Sequence, residues 1–214
     1  MLRNPSRQRF VAGSVGPTSK SLSIASDVDN PAHRDIDFAT LSAAYREQIE
    51  GLIEGGVDIL LIETCFDTLN CKAAIVAADE VFEKIGRKLP IIISASLTSS
   101  GRLLSGQTIE AFLVTIAHAK PLAVGFNCSF GAKQLYPHVC RLAEVSEFAV
   151  SLYPNAGLPN LAGGYDQSPD MMAADVEPLL REGLVNIIGG CCGTTPEHIA
   201  AIAHVAQGYS PRKV

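Results

Sequence analysis

The sequence predicts an α/β fold of the (β/α)₈ TIM-barrel family, present as a partial barrel with about six parallel strand–helix units. Apolar runs of strand length recur along the chain, and their continuous apolar character is typical of strands buried on both faces of a parallel sheet. Helical patterns lie between the runs, which indicates βα units. Polar, glycine-rich segments follow the runs directly, so the strand ends converge on one rim, which favours a barrel over an open doubly wound sheet.

Each of the six predicted strands ends in one of these polar segments. Five predicted helices lie between the strands, and a sixth follows the last strand. The first helix has an apolar stripe that includes Leu41, Tyr45 and Ile49, and it ends in glycine. The last begins at Pro196 after a threonine that can cap it. The predicted strands are 9–16, 57–64, 89–96, 121–129, 147–155 and 184–192, and the predicted helices are 41–56, 70–86, 108–119, 132–145, 170–183 and one from 196 onward.

Composition limits the class of protein. The chain has 214 residues, of which 47% are hydrophobic and 18% charged, so we predict one folded domain over 1–214. The net charge of −5, without a basic stripe, argues against nucleic acid as a partner. The longest apolar runs are about eight residues, too short for a membrane span. The basic start has no apolar segment of a secretory signal behind it, so we expect a cytoplasmic protein.

Three of the six cysteines form the candidate site. Cys191 and Cys192 are adjacent in a glycine turn after the sixth strand, and Cys128 ends the fourth. Alternate strands of a barrel contribute side chains to one layer, so three thiols could meet at the rim. Three protein ligands with one open position are typical of a catalytic zinc site. The remaining cysteines, which we predict to be small structural side chains, are Cys65, Cys71 and Cys140.

Several motifs together carry a resemblance to a known family. The segments "GGCCGTTPEHI", "GFNCS", "LLIETCFDTLNCKAA" and "LSGQT" are similar to those of the homocysteine S-methyltransferase family. Within it, the sequence most resembles the homocysteine-binding module of cobalamin-dependent methionine synthase (5-methyltetrahydrofolate–homocysteine methyltransferase). The segment that starts "VAGSVGPTSKSLSIASDVDNPAHRD" fits the same subgroup, and the resemblance covers nearly the whole chain.

The resemblance implies zinc held by Cys128, Cys191 and Cys192, with homocysteine entering as a further sulfur ligand. A thiolate on zinc stays deprotonated at neutral pH, and the surplus of negative charge keeps the sulfur nucleophilic. The implied reaction is methyl transfer to homocysteine in methionine biosynthesis. The implied donor is methylcobalamin, charged from methyltetrahydrofolate. The implied partners are L-homocysteine and the folate and cobalamin modules of a full-length or split enzyme.

Three further positions follow from the resemblance. Asn155 matches a position that can fill the fourth site of the metal until substrate displaces it, although a turn residue is the alternative. Glu63 is expected to receive the amino group of homocysteine, with a solvated or capping carboxylate as the alternative. Asn127 precedes Cys128 and either contributes to substrate and thiolate orientation or fixes the turn. We expect Asp67 to be structural.

The sequence also departs from the family pattern. Full members begin with an Asp-Gly turn that helps to hold the substrate, and this chain lacks it, because it starts near the third strand of the family. A closed barrel needs eight strands and about 250 residues, so two strand–helix units are missing at the front. Three explanations of the missing units remain open: a truncated gene product, part of a split enzyme completed by a partner, and a piece of a longer protein. Two alternative functions also remain open: a homocysteine methyltransferase that uses betaine or S-methylmethionine as donor, and a zinc-binding fragment without catalysis.

Overall fold

The computed structural model describes residues 8–214, and in this range six strands alternate with six α-helices, the third of which continues into a 3-10 turn at Ala117–Ala119. None of these helices is both long and apolar enough to cross a membrane. The strands are β1 (Ala12–Val15), β2 (Ile59–Cys65), β3 (Ile91–Ala95), β4 (Ala123–Asn127), β5 (Ala149–Tyr153) and β6 (Ile187–Ile188). The helices are α1 (Phe38–Glu54), α2 (Thr68–Ile85), α3 (Ile109–Ile116), α4 (Ala132–Val145), α5 (Pro169–Arg181) and α6 (Pro196–Ala206).

The strands form a single parallel sheet whose spatial order is the chain order, β1 to β6. The sheet curls into part of a barrel with the helices outside it, which confirms the predicted fold class. Over residues 8–214, no pairing joins β6 to β1, so both are edge strands. Every loop that follows a strand therefore lies at the same carboxyl rim, where parallel α/β proteins place their sites.

The two faces of the sheet differ in chemistry. One row of residues in register faces the helices and is at most 2% exposed, which makes it the centre of the core. The neighbouring row faces the concave side and includes the buried hydroxyls of Ser94 and Ser151. The helix-facing row consists of Val15, Ile62, Ile93, Val124 and Val150.

Local capping explains how the predicted bounds differ from the observed ones. Helix α1 begins three residues earlier than predicted because the Asp37 side chain accepts a hydrogen bond from the Thr40 amide at 2.7 Å. Strand β6 is the largest difference, since only Ile187–Ile188 of the predicted 184–192 pair as a strand. The residues after Ile188 form a turn at the rim, and that turn carries two of the candidate ligands.

Candidate metal centre

Three cysteine sulfurs meet at the carboxyl rim. The Sγ atoms of Cys128 and Cys192 lie 3.7 Å apart, and those of Cys191 and Cys192 lie 4.0 Å apart. All three lie within 4.8 Å of one another. Sulfurs bound tetrahedrally to zinc at about 2.3 Å lie roughly 3.8 Å apart, so this arrangement fits one metal ion. Within residues 8–214, no other group of three His, Cys, Asp or Glu side chains is placed to share a metal.

Cys128 reaches the site through an unusual turn. Its φ is +58° and that of Ser129 is +62°, a left-handed conformation that side chains other than glycine rarely adopt. Backbone hydrogen bonds hold the turn, since the Cys128 amide donates to the Tyr153 carbonyl at 3.3 Å. The Phe130 amide donates to the Cys128 carbonyl at 2.7 Å. Strained backbone of this kind concentrates at functional sites, and here it presents the thiol to the rim.

The loop after β5 holds the cysteine pair. The Cys191 amide donates to the Pro154 carbonyl at 2.8 Å, and the Ala156 amide donates to the Cys192 carbonyl at 2.9 Å. Pro154 and Ala156 directly follow β5, and β5 also pairs with β4, the strand that precedes Cys128. Strand β5 therefore positions both Cys128 and the Cys191–Cys192 pair. Strand β6 pairs with β5 at only two positions, so these hydrogen bonds add to the contacts that hold the turn against β5.

Asn155, the predicted exchangeable metal ligand, is buried beside the pair. Its side-chain oxygen accepts a hydrogen bond from the Cys192 amide at 3.1 Å. Its own amide donates to the Phe130 carbonyl at 3.0 Å. The structure thus places Asn155 next to the sulfurs and uses it to support Cys192, while direct coordination stays a prediction. An amide oxygen has two lone pairs, so it can accept this hydrogen bond and still coordinate a metal.

The Asn127 side chain, at the end of β4, forms hydrogen bonds with residues of β2 and β3. Its side-chain oxygen accepts from the Thr64 amide at 2.9 Å and from the Ser94 hydroxyl at 2.7 Å. Its side-chain nitrogen donates to the Thr64 hydroxyl at 2.8 Å. Thr64 itself has a φ of +58°, so this amide holds a second strained position beside the one at Cys128. These contacts favour the alternative in which Asn127 fixes the turn, and its predicted substrate contact stays untested.

Glu63 lies on the concave face of β2 and is partly exposed. The Ser14 hydroxyl of the neighbouring strand β1 donates a hydrogen bond to its Oε1 atom. The carboxylate is therefore oriented by a partner that the sequence did not single out. Asp67, predicted to be structural, is fully buried and accepts hydrogen bonds from Ser21 at 2.6 Å and from the Leu69 amide at 2.9 Å.

The raised pKa of one thiol in the cluster indicates that a bound cation would stabilise the thiolate form. Burial, together with the neighbouring Cys128 and Cys192 sulfurs, raises the pKa of the Cys191 thiol to about 12. The same burial and neighbouring sulfurs disfavour the thiolate form of Cys191 unless a positive charge lies beside it. A bound divalent cation inverts this preference and holds coordinating thiols as thiolates. The donor set and its spacing therefore fit a soft or borderline metal such as zinc.

Two further residues support the rim turn. The side chain of Tyr165 packs against Gly193, where a Cβ atom would overlap its Cβ and Cγ atoms. His198 accepts from the Thr195 amide at 3.2 Å through Nδ1, and its Nε2 lies 2.8 Å from the Gln167 carbonyl. His198 thus ties α6 to the loop after β5. The sequence signal was the length of that loop, 154–168, because long loops in compact domains are often functional.

The other cysteines lie apart from the cluster. Cys65 and Cys71 are buried, whereas Cys140 is partly exposed on α4. The adjacent Cys71 thiol, together with burial, raises the pKa of Cys65 well above its ordinary value. Cys65 therefore has a neighbouring thiol that the sequence analysis did not anticipate. Neither residue joins the metal-binding group, and their burial agrees with the structural role predicted for them.

A cluster of thiols at the carboxyl rim of a partial (β/α)₈ barrel defines this chain as a barrel protein with a candidate thiolate metal centre. Residues 2–206 match the family described as homocysteine S-methyltransferase. The match spans nearly the whole chain, so the chain belongs to the homocysteine S-methyltransferase family.

Solved structures agree with this assignment. The chain is 26% identical to the apo form of the homocysteine methyltransferase MmuM from Escherichia coli, with a TM-score of 0.62 over 92% of this chain. It is 27% identical to the metallated form of the same enzyme, with a TM-score of 0.63 over 91% of this chain. The alignments cover 62% and 60% of the two solved chains, so this chain spans about three fifths of their length.

Proposed function

We propose that residues 1–214 are a domain of a zinc-dependent homocysteine S-methyltransferase that produces methionine. The observation that carries the proposal is the cluster of three sulfurs, all within 4.8 Å of one another at the carboxyl rim. Cys128, Cys191 and Cys192 would hold the zinc. The metallated form of the related MmuM supports a metal in this family.

Zinc bound by three cysteinates would keep the thiol of homocysteine deprotonated at neutral pH and therefore nucleophilic. In the transfer, the homocysteine sulfur forms a bond to the methyl carbon while the bond between that carbon and its carrier breaks. The electron pair of the broken bond stays with the carrier, and the thiol proton leaves to solvent. The chain's own task is to place the sulfur with its reacting lone pair toward the carrier.

Glu63 is our candidate for binding the ammonium group of homocysteine. Its carboxylate faces the concave side of the sheet, and the Ser14 hydroxyl orients one of its oxygens. A charge-assisted hydrogen bond to an ammonium group is stronger than a neutral one and adds orientation. Asn127, also predicted to contact substrate, would act through the strained turns at Thr64 and Cys128 that it supports.

For the methyl donor we propose methylcobalamin, charged from methyltetrahydrofolate, as in methionine synthase. The support is the subgroup resemblance of the motifs, and the cobalamin and folate modules would be partners outside this chain. Betaine and S-methylmethionine are the alternative donors. Incubating the zinc-loaded chain and L-homocysteine with each donor separately, and measuring methionine by mass spectrometry, separates them. Methionine from betaine or S-methylmethionine alone would contradict the cobalamin assignment.

The metal and the substrate are tested together by titration. We expect the purified chain to bind one zinc per molecule and to release a proton when L-homocysteine is added, measured in weakly buffered solution. The matched control is L-homoserine, which replaces the thiol by a hydroxyl and should release none. Zinc binding without a response to homocysteine would instead support the alternative of a non-catalytic zinc-binding fragment.

A further inference from the structure

The hydroxyl of Tyr153 is a buried polar group without a hydrogen-bond partner among the described residues. Tyr153 is the last residue of β5 and pairs in register with Asn127 of β4. Its Cβ atom packs near Gly189, just before the cysteine turn. An unpaired buried hydroxyl is costly, so native proteins rarely keep one without a reason.

The surroundings of this hydroxyl are polar and acidic. Burial raises the pKa of the Tyr153 phenol, the Glu63 carboxylate nearby raises it further, and Ser94 opposes the shift. Neither group is in hydrogen-bonding geometry with the phenol, and the Ser94 hydroxyl is already engaged with Asn127. The hydroxyl therefore lies beside the carboxylate to which we assign the substrate's amino group.

The position also suits the length of the substrate. The Tyr153 carbonyl accepts a hydrogen bond from the amide of Cys128, so this strand end adjoins the sulfur cluster. Homocysteine separates its sulfur from its ammonium nitrogen by a short carbon chain. Its two ends must therefore bind close together, and Tyr153 ends strand β5, which pairs with β4 and β6, the two strands that precede the cysteine ligands.

We propose that the Tyr153 hydroxyl accepts a hydrogen bond from the ammonium group of homocysteine and, with Glu63, makes the site selective for an amino acid over a simple thiol. The inference rests on the proposed function. A phenol oxygen has lone pairs that can accept a hydrogen bond from the ammonium group, and nothing among the described residues already occupies them. A substrate carboxylate would instead be repelled by Glu63, so the ammonium end is the one that fits here.

The test is Tyr153→Phe in the zinc-loaded chain. Because the hydroxyl has no hydrogen-bond partner within residues 8–214, its removal should leave the thermal unfolding midpoint unchanged or raise it. The affinity for L-homocysteine, measured by calorimetry, should fall about tenfold, as expected for losing a hydrogen bond to a charged group. The affinity for 4-sulfanylbutanoate, which has the thiol and carboxylate but no amino group, should not change. Tyr209→Phe, at a hydroxyl bonded to Glu177, is the matched control.

The other possible results distinguish a failure of the Tyr153 inference from a failure of the proposed function. If wild type binds L-homocysteine and Tyr153→Phe binds it equally well, the inference about Tyr153 is wrong while the proposed function stands. An equal loss for both ligands, or a lowered unfolding midpoint, would show a structural role and also overturn the inference. If the zinc-loaded wild type binds no L-homocysteine, the proposed function fails and the inference fails with it.

Discussion

The amide of Cys192 donates a hydrogen bond of 3.1 Å to the side-chain oxygen of Asn155, which joins a candidate metal ligand to the loop after β5. Contacts of this kind, one step away from a metal, orient the ligands and tune the affinity of a site. Asn155 belongs to that loop and is buried.

Replacing Asn155 by alanine removes the acceptor for the Cys192 amide and any direct contact of the side chain with the metal. We expect the zinc affinity to fall about 10- to 100-fold, as is typical for supporting residues of metal sites. Competition with a chromophoric chelator measures the change. Asn30→Ala, in an exposed loop, is the control and should bind zinc as wild type does. Wild-type affinity in Asn155→Ala would show that this hydrogen bond does not support the site.

The turn after the cysteine pair depends on a glycine. Gly193 has a φ of +78°, and an added Cβ would overlap the side chain of Tyr165. Gly163 has nearly the same φ, +79°, but an added Cβ there meets nothing within 4 Å. Both alanine variants have the cost of a left-handed residue, about 1–2 kcal/mol. We expect only Gly193→Ala also to weaken zinc binding, and equal effects in the two variants would contradict the packing argument.

Asp67 makes the stability sensitive to acid. Burial alone would raise its pKa, but hydrogen bonds from Ser21, Ser23 and the Leu69 amide outweigh burial and lower it. A lowered pKa in the folded state gives stability that is complete above the unfolded pKa of about 3.9 and is lost as pH falls through the folded pKa. We expect Asp67→Asn to lower the free energy of unfolding at pH 7 by about 1.5–3 kcal/mol.

The difference between Asp67→Asn and wild type should shrink as the pH is lowered below the unfolded pKa, because the wild-type carboxylate then takes up its proton. Urea denaturation at a series of pH values measures it. Asp29→Asn, at an exposed loop position, should show no such trend. A difference that is constant with pH would mean that the carboxylate charge does not contribute.

The contacts that support the candidate metal site could be predicted from the sequence only in part. The meeting of the three cysteine sulfurs could be predicted because strand ends of a parallel barrel share one rim, and adjacent cysteines in a glycine turn have no evident packing role. The contacts of Ser14, Tyr153 and His198 depend on the exact curl of the sheet and on loop paths, which no local pattern encodes. Strand β6 was overestimated because the apolar run includes residues that pack without pairing.

The fold was predicted more completely than the site. Each observed strand lies within or beside a predicted one, since continuous apolar runs are a strong signal for buried parallel strands. Helix bounds moved because caps such as Asp37 and Asp67 begin helices before the apolar stripe does. The left-handed residues Thr64 and Cys128 had no sequence signal, because neither is a glycine.

His198 holds the loop after β5 against α6, and its removal should loosen that loop. We expect His198→Ala to cost about 1–3 kcal/mol of unfolding free energy, since it leaves the Gln167 carbonyl and the Thr195 amide without their partner. Amide hydrogen exchange should speed up in residues 154–168. His204→Ala, at an exposed position of the same helix, is the control. Unchanged exchange in the loop would contradict the proposed tie.

The central claim is that three sulfurs from two distant segments bind one metal. The most direct measurement is the zinc content of Cys128→Ser, Cys191→Ser, Cys192→Ser and Cys140→Ser, each purified with zinc and dialysed against a weak chelator. We predict one zinc per chain in wild type and Cys140→Ser and little or none in the other three variants. Full zinc content in Cys128→Ser, or equal content in all four variants, would contradict the claim.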